Sequence, residues 1–321
     1  MGWQVARSLC HLIHHRHQRI GIAHRPGKRI VSPHRAHTSI RRTSIESTGI
    51  DRLAHGHLPD QLAPGFEPFA HARGIGTERC IKTPDGTCRI GAIGARTGPF
   101  QTMRYSEKLL QDTGLTVVTV DLSEIISGAE KVSDDDAEVK AKLEEITSYG
   151  TIPSYIDRGN IVKQAKWGIT VDRWIEENEC DASSIQCWSS LQENFGCATC
   201  LTMSMMGEKL MPSACEVDVM GAISMYALAL ASGAPPAILD WNNNYGNVPD
   251  LCACVHCGNF PKSFIGDAPP EISNLDVLGT VIGQERCFGA VKGRVQPGPM
   301  TYFRLSSDDR AGQLKSYVGE G

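Results

Sequence analysis

The sequence predicts an α/β protein with a doubly wound, mostly parallel sheet, followed by the start of an antiparallel β-rich domain. Three observations predict this fold. Short apolar strands alternate with helices from Cys88 onward, a glycine-rich turn joins the first strand to the first helix, and polar and apolar residues alternate after Gly258. Strands that alternate with helices favour a parallel sheet, whereas a period of two residues favours antiparallel hairpins.

The first 80 residues differ in composition from the rest of the chain. They hold ten of the 11 histidines and carry 12 Lys or Arg against 5 Asp or Glu. Because no apolar periodicity of 3.6 or 2 residues is sustained, we expect a disordered segment here. A basic tail, an organellar transit peptide and a mistranslated or mispredicted reading frame stay open as interpretations. A histidine-rich metal-binding tract is a further one, although the spacings repeat no ligand pattern.

The composition of the whole chain excludes several classes of protein. Of 321 residues, 41% are hydrophobic and 21% are charged, which are ordinary values for a soluble globular protein. The formal net charge of -4 offers nothing to a nucleic-acid backbone, and no stretch approaches 18 uninterrupted apolar residues. The 12 cysteines occur without a secretory signal. We therefore expect a cytoplasmic protein with reduced, mostly buried thiols, bound to neither nucleic acid nor membrane.

The segment from residue 88 to residue 120 predicts one βαβ unit. It reads as an apolar strand, a turn with three glycines, a helix over residues 105–111 and a second strand over residues 115–120. A glycine-rich strand-to-helix turn can cradle a phosphate, but G-x-G-x-x-G and G-K-[ST] are both absent. Close packing of a turn is the alternative, with Arg96 and Arg104 as contacts for an anionic or polyhydroxylated ligand.

The middle of the chain continues the alternation of helix and strand. An acidic helix over residues 134–149 and an amphipathic helix over residues 161–177 precede a short strand at residues 185–188. In such sheets, ligands bind beyond the carboxyl ends of the strands.

Two acids stand at predicted ends of strands. Glu216 lies between the short strand "SAC" and an apolar helix that ends at Gly233, and Asp240 follows the apolar run "AIL". Two neighbouring parallel strands would bring both carboxylates to one rim, where oxygen ligands suit Mn²⁺ or Mg²⁺. The alternatives are a helix-start role for Glu216 and Asp218, and an ordinary turn role for Asp240 before "WNNNYGN".

The chain resembles the L-fucose isomerase and L-arabinose isomerase superfamily, in particular its fucose-isomerase-like bacterial sugar isomerases. The resemblance rests on "RIGAIGARTGPFQTMRYSEKLL", "ACEVDVMGAISMYALALASG", "ILDWNNNYG", "VHCGNFP" and "VIGQERCFGAVKGRVQPGPMTYFRLSSDD". Its most specific part is the offset of 24 residues between Glu216 and Asp240. The resemblance implies that these two residues bind Mn²⁺, or another divalent cation, and also move the proton.

The resemblance also implies an activity: interconversion of an aldose and a ketose through an ene-diol, which is an intramolecular oxidoreductase reaction. A divalent cation stabilises the charge that develops on the sugar oxygens, and nearby carboxylates exchange the proton. The expected partners are a small-molecule sugar and, as in longer members of the family, other copies of the same subunit.

His256 in "CVHCGNFP" is a third candidate metal ligand, because members of the superfamily contribute an imidazole to metal or substrate. It is the one histidine outside the basic start. A structural histidine in the rim is the alternative. We also name Arg96, Trp188, Trp241 and Asn243 as candidate sugar contacts. The cysteines near His256, and the C-x-x-C of Cys197 and Cys200, do not supply the paired spacing of a zinc or iron–sulfur site.

The predicted organisation has three parts: a basic segment at 1–83, an α/β isomerase domain at 84–245, and the beginning of a β-rich C-terminal domain at 246–321. Turns near residues 296–299 and 306–312 favour antiparallel hairpins in the last part. Family members extend further at both ends, and one of their metal-binding histidines lies in that continuation. We therefore expect a fragment, and a non-catalytic sugar-binding or interaction protein stays open as the alternative function.

Overall fold

A computed structural model describes residues 43–45, 88–245, 248–266 and 269–321, without the side chains of 43–45 and 242–252. The strands in these ranges are β1 (Thr43–Ile45), β2 (Cys88–Ile93), β3 (Leu115–Val120), β4 (Ala182–Ile185), β5 (Ser213–Cys215), β6 (Asp240–Tyr245), β7 (Val248–Val255), β8 (Glu271–Asn274), β9 (Phe288–Lys292), β10 (Thr301–Asp308) and β11 (Gln313–Glu320). The α-helices are α1 (Glu107–Asp112), α2 (Leu122–Lys131), α3 (Ala137–Tyr149), α4 (Arg158–Glu177), α5 (Ser190–Asn194), α6 (Cys200–Glu208), α7 (Val219–Ser232) and α8 (Asp276–Ile282).

A four-stranded parallel sheet forms the centre of the α/β part, in the order β3-β2-β4-β5. The register aligns the last residues of these strands: Ile93 pairs with Val120 and with Ile185, and Ile185 pairs with Cys215. The segments that follow the four strands therefore leave the sheet at one edge. The predicted parallel sheet is confirmed.

Helices cover both faces of this sheet. Alternate residues of each strand point to opposite faces, so each strand contributes side chains to both contacts. On one face, Ile93 and Ile185 pack with buried apolar side chains of α2 and α4. On the other face, Ile90 and Ala182 pack with buried side chains of α7. Both faces of the central strands are thus removed from water, and even Ser183 and Ser184 of β4 are fully buried. The predicted doubly wound architecture is confirmed.

Helix α7 has clear start and stop signals. The Asp218 carboxylate accepts a hydrogen bond from the backbone N–H of Gly221 at 2.8 Å, so it caps the amino end. The helix ends at Gly233, whose φ of 67° lies in the left-handed region, as predicted from the sequence. Its small apolar residues are buried on nearly all sides because the sheet lies against one face and β10 against another.

The last part of the chain is built from antiparallel pairs. Strands β6 and β7 pair with each other, and so do β8 and β9. Strands β10 and β11 form a hairpin, and β1 adds to the free edge of β11. Strand β10 lies on α7, where the backbone N–H of Leu305 donates to the Ser224 hydroxyl at 2.9 Å. The hairpin predicted at the turn near residues 306–312 is confirmed, because this turn joins β10 to β11. The one expected near residues 296–299 is wrong, because β9 pairs with β8 and not with β10.

Two predictions of strand position were wrong. The strand expected at residues 185–188 lies at Ala182–Ile185, where it pairs with β2. Residues 237–239 form no strand, and Asp240 begins β6 of an antiparallel pair instead of ending a parallel strand. Three apolar residues after two prolines suit either an extended segment or a strand, and only the available pairing partner decides between them.

The disorder expected in the basic start mostly lies outside the described residues. Among the helices that the structure describes, none is both long enough and apolar enough to cross a membrane.

Candidate active site

The candidate site lies at the edge where the parallel strands end. The turn after β2 is held there by two hydrogen bonds: the backbone N–H of Gly94 donates to the Val120 carbonyl, and that of Ala95 donates to the Gln186 side chain, each at 2.9 Å. Glu216 follows β5 at the same edge, because Ile185 and Cys215 are register partners. Parallel sheets bind their ligands at this edge.

Glu216 lies in a tight turn between β5 and α7. Both Glu216 and Val217 have left-handed backbone conformations, with φ of 59° and 54°. The turn closes with a hydrogen bond of 2.9 Å from the backbone N–H of Asp218 to the Cys215 carbonyl. A left-handed conformation in a β-branched residue costs on the order of 1–3 kcal/mol, and such strain concentrates at functional sites. The predicted junction between strand and helix is confirmed.

The Glu216 carboxylate is buried and has few polar contacts. Only 6% of the residue is exposed. The Cys187 thiol donates to Oε1 at 3.7 Å, and the other oxygen lies 4.0 Å from Nε2 of His256. Burial, followed by the negative charge of Asp240, raises the pKa of Glu216 to about 7. A buried carboxylate with few partners is stabilised by a bound proton or cation, because either one compensates for the hydration that the charge loses on burial.

Asp240 lies near enough to Glu216 and His256 for its charge to act on both. It begins β6 and is exposed, whereas Glu216 is buried. Its negative charge raises the pKa of Glu216 and acts against the lowering of the pKa of His256. Asp240 therefore acts on Glu216 through its charge, from an antiparallel pair of strands and not from a neighbouring parallel strand. Among the described residues, the three ligand atoms that lie within 4.8 Å of one another here belong to Cys187, Cys215 and Glu216, and Asp240 is not part of this group.

His256 follows β7, the partner strand of β6, and its side chain is only 1% exposed. Burial lowers its pKa, which favours the neutral imidazole. Within the described part of the chain, Nδ1 has no hydrogen-bond partner of good geometry. The Asn259 amide lies close enough to raise the pKa of His256 slightly, yet its Oδ1 and Nδ2 are also unpartnered there. Buried polar atoms without partners are groups that a ligand or a water molecule can satisfy.

The four candidate sugar contacts differ in their surroundings. Arg96 is partly buried, and its Nη1 donates to the carbonyls of its own turn, including that of Phe100 at 3.0 Å. Trp188 directly follows Cys187 and meets Phe100 edge to face, with ring centroids 5.3 Å apart. Trp241 meets Tyr302 at 4.8 Å. Asn243 lies on β6, and its side chain is outside the described residues.

Sequence reasoning missed two side chains of this site, Cys187 and Asn259. Cys187 lies two residues after the end of β4, and a strand set at residues 185–188 placed it inside the sheet. Glu216 was selected because ligands bind beyond the carboxyl ends of parallel strands. With β4 at its observed position, the same rule selects Cys187. Asn259 offered no signal, because a lone asparagine after a glycine is typical of turns.

The donor set suits a divalent cation. Carboxylate and imidazole groups are ligands that divalent cations accept, and Glu216 and His256 supply one of each. Glu216 and His256 present an oxygen and a nitrogen 4.0 Å apart, so both reach one ion after a small approach.

Comparison with known proteins finds similarity to sugar isomerases. A family model described as "L-fucose isomerase, C-terminal domain" matches residues 254–321. The match confirms the predicted resemblance to the L-fucose isomerase-like superfamily, a group of sugar isomerases.

The curated relatives that match the chain are named sulfoquinovose isomerases. That of Alkalicoccus urumqiensis is 30% identical over 270 residues, which cover 82% of this chain and 56% of the relative. That of Priestia aryabhattai is 28% identical over 227 residues, which cover 68% and 47%. The chain thus spans about half the length of the curated relatives it matches.

Proposed function

We propose that the protein takes part in the interconversion of an aldose and a ketose, with Glu216, Asp240 and His256 as ligands of one divalent cation. The observation that carries this proposal is the meeting of a buried carboxylate with an imidazole 4.0 Å away and with the charge of Asp240. Glu216 lies in a strand-to-helix turn, Asp240 begins β6, and His256 follows β7, the partner strand of β6. Groups gathered from such distant parts of a chain at a sheet edge indicate a functional site.

The reaction needs a proton to leave the carbon next to the sugar carbonyl and another to reach the neighbouring carbon. The two carboxylates are the proposed carriers, one as base and the other as acid, through an ene-diol. A bound divalent cation, with Mn²⁺ as the first choice, supplies Lewis-acid stabilisation of charge on the sugar oxygens. The aromatic pair of Trp188 and Phe100 offers an apolar wall beside this edge.

The name of the relatives makes sulfoquinovose the first aldose to test. Arg96 supports this choice, because it places a positive charge on the turn after β2, at the same edge as Glu216. Sulfonates are anions, and a guanidinium is a good partner for them. L-Fucose and L-arabinose are the uncharged comparisons. Cytoplasmic location and self-association also stay predictions, and light scattering of the purified protein tests the second.

Calorimetric titration with Mn²⁺ tests the metal site first. We expect one bound ion in the unchanged chain and loss of that binding in Glu216→Gln and in Asp240→Asn. Asp276→Asn is the matched control, because this carboxylate lies on α8 and pairs with Lys292 at 2.6 Å. Equal Mn²⁺ affinity in all four proteins would contradict the assignment.

Proton exchange tests the chemistry separately. In deuterated water, an isomerase places deuterium on the carbon next to the carbonyl, which NMR of the sugar detects. We expect incorporation into sulfoquinovose that needs Mn²⁺ and both carboxylates. Metal binding without any incorporation would favour the non-catalytic sugar-binding alternative for this chain.

A further inference from the structure

A group of buried thiols lies beside Glu216. Cys187 and Cys215 are 3% and 0% exposed. Their sulfur atoms and one Glu216 carboxylate oxygen all lie within 4.8 Å of one another. A third buried thiol, that of Cys200, packs in the same core cluster as Cys187 and Cys215. These cysteines are free, since none of them is in a disulfide.

The sheet register explains why these distant residues meet. Cys215 is the last residue of β5 and pairs with Ile185, the last residue of β4. Cys187 follows Ile185 by two residues, so it leaves the sheet beside Cys215. The thiols of Cys187 and Cys215 therefore converge because two parallel strands end together, which the spacing of cysteines along the sequence does not reveal.

The distances suit a cation that prefers sulfur. Two ligands at about 2.3 Å from a tetrahedral ion lie roughly 3.8 Å apart. The Cys187 sulfur and Oε1 of Glu216 already lie 3.7 Å apart. Thiolate ligands select Zn²⁺ and similar soft cations, whereas carboxylate and water ligands suit Mn²⁺ and Mg²⁺. One carboxylate thus lies between a soft set of donors and a hard one.

We propose that Cys187, Cys215 and Glu216 bind one thiophilic divalent cation, such as Zn²⁺ or Cd²⁺, at a site distinct from the proposed Mn²⁺ site. Both sites need Glu216, and two divalent cations on one carboxylate repel each other, so the thiophilic cation weakens Mn²⁺ binding and slows the isomerase reaction. Only this competition rests on the proposed function; the thiol site itself depends on the geometry of the three side chains.

Titration of the purified chain with Cd²⁺ tests the thiol site through the ultraviolet charge-transfer absorbance of cadmium thiolates. We expect one tight equivalent in the unchanged chain, weakened by more than about tenfold in Cys187→Ser and in Cys215→Ser. Cys180→Ser is the matched control, because this cysteine is equally buried, at 5% exposure, but precedes β4 instead of following it. It should bind Cd²⁺ as the unchanged chain does.

Cadmium NMR on the unchanged chain gives a result that does not depend on the folding of any variant. The chemical shift reports the number of sulfur ligands, and we expect two. Absence of thiolate absorbance, a shift without sulfur ligands, or undiminished binding in both serine variants would each overturn the thiol site.

Competition then separates this inference from the proposed function. Excess Mn²⁺ should raise the Cd²⁺ midpoint in the unchanged chain. Cd²⁺ binding that ignores Mn²⁺ would show that Glu216 is not shared. Mn²⁺ binding without any Cd²⁺ binding would overturn the thiol site and leave the proposed function intact.

Discussion

Arg304 on β10 donates two hydrogen bonds to the buried carboxylate of Asp218, 86 residues earlier in the chain. The contact from Nη2 to Oδ1 measures 3.1 Å, and the Asp218 side chain is fully buried. Since Asp218 also caps α7 and lies two residues after Glu216, this ion pair ties the C-terminal hairpin to the turn that carries the candidate site. The position of Glu216 therefore depends on a strand far away in sequence.

Substitution of Arg304 should destabilise the protein strongly. Removal of one partner of a buried ion pair typically costs about 3–5 kcal/mol, because the other charge stays buried without compensation. We expect Arg304→Ala to lower the free energy of unfolding by an amount in this range, measured by urea denaturation. Lys315→Ala is the control, because its pair with Asp308 on the same hairpin is partly exposed and should contribute less than about 1 kcal/mol. Similar losses in both variants would contradict the structural role of Arg304.

Gly289 on β9 should tolerate no side chain. Its φ of 119° is rare for other residues, and an added Cβ would lie 2.6 Å from the Ala198 carbonyl oxygen. We expect Gly289→Ala to cost roughly 3 kcal/mol, since strain and overlap with backbone act together. Gly298→Ala is the control, because no atom lies within 4 Å of an added Cβ there. The measurement is the urea midpoint of unfolding of each variant. Equal midpoints in the two variants would contradict the prediction, because β9 would then accommodate the added side chain without cost.

The indole of Trp167 depends on Thr199 for its hydrogen bond. Nε1 donates to the Thr199 hydroxyl at 3.1 Å, and both residues are fully buried. Thr199→Val keeps the shape but leaves the indole N–H unpaired, so we expect a loss of about 1–3 kcal/mol in thermal unfolding. Thr147→Val on the exposed face of α3 should change stability by less than about 0.5 kcal/mol. A neutral Thr199→Val would mean that the indole finds another acceptor.

His256 should contribute to metal affinity without being essential to it. We expect His256→Gln to weaken Mn²⁺ binding by about tenfold, because one of three proposed protein ligands is lost. Glu216→Gln should abolish the binding, since it removes the carboxylate that the other donors surround. The measurement is calorimetric titration at one pH for both variants. Unchanged affinity in His256→Gln would identify His256 as a structural residue of the rim.

Local patterns were reliable for elements with strong start and stop signals. The strand predicted at residues 115–120 is β3, the helix predicted at residues 161–177 begins three residues earlier, and Gly233 ends α7. The strand at residues 185–188 was wrong by three residues, because "ASSI" carries little apolar signal and its pairing with β2 is what defines it. Pairing between strands is information that a local window of sequence does not contain.

The sequence by itself determined the alternation of strands and helices, the last hairpin of the chain, and the placement of Glu216 between a strand and a helix. These features follow from hydrophobic period, capping residues and turn residues, which act over a few neighbours. Only the tertiary structure decided that Cys187 lies against Glu216, that Asp240 arrives on an antiparallel strand, and that Arg304 holds the neighbouring Asp218. The physical reason is that these contacts depend on strand register and on the packing of elements far apart in sequence.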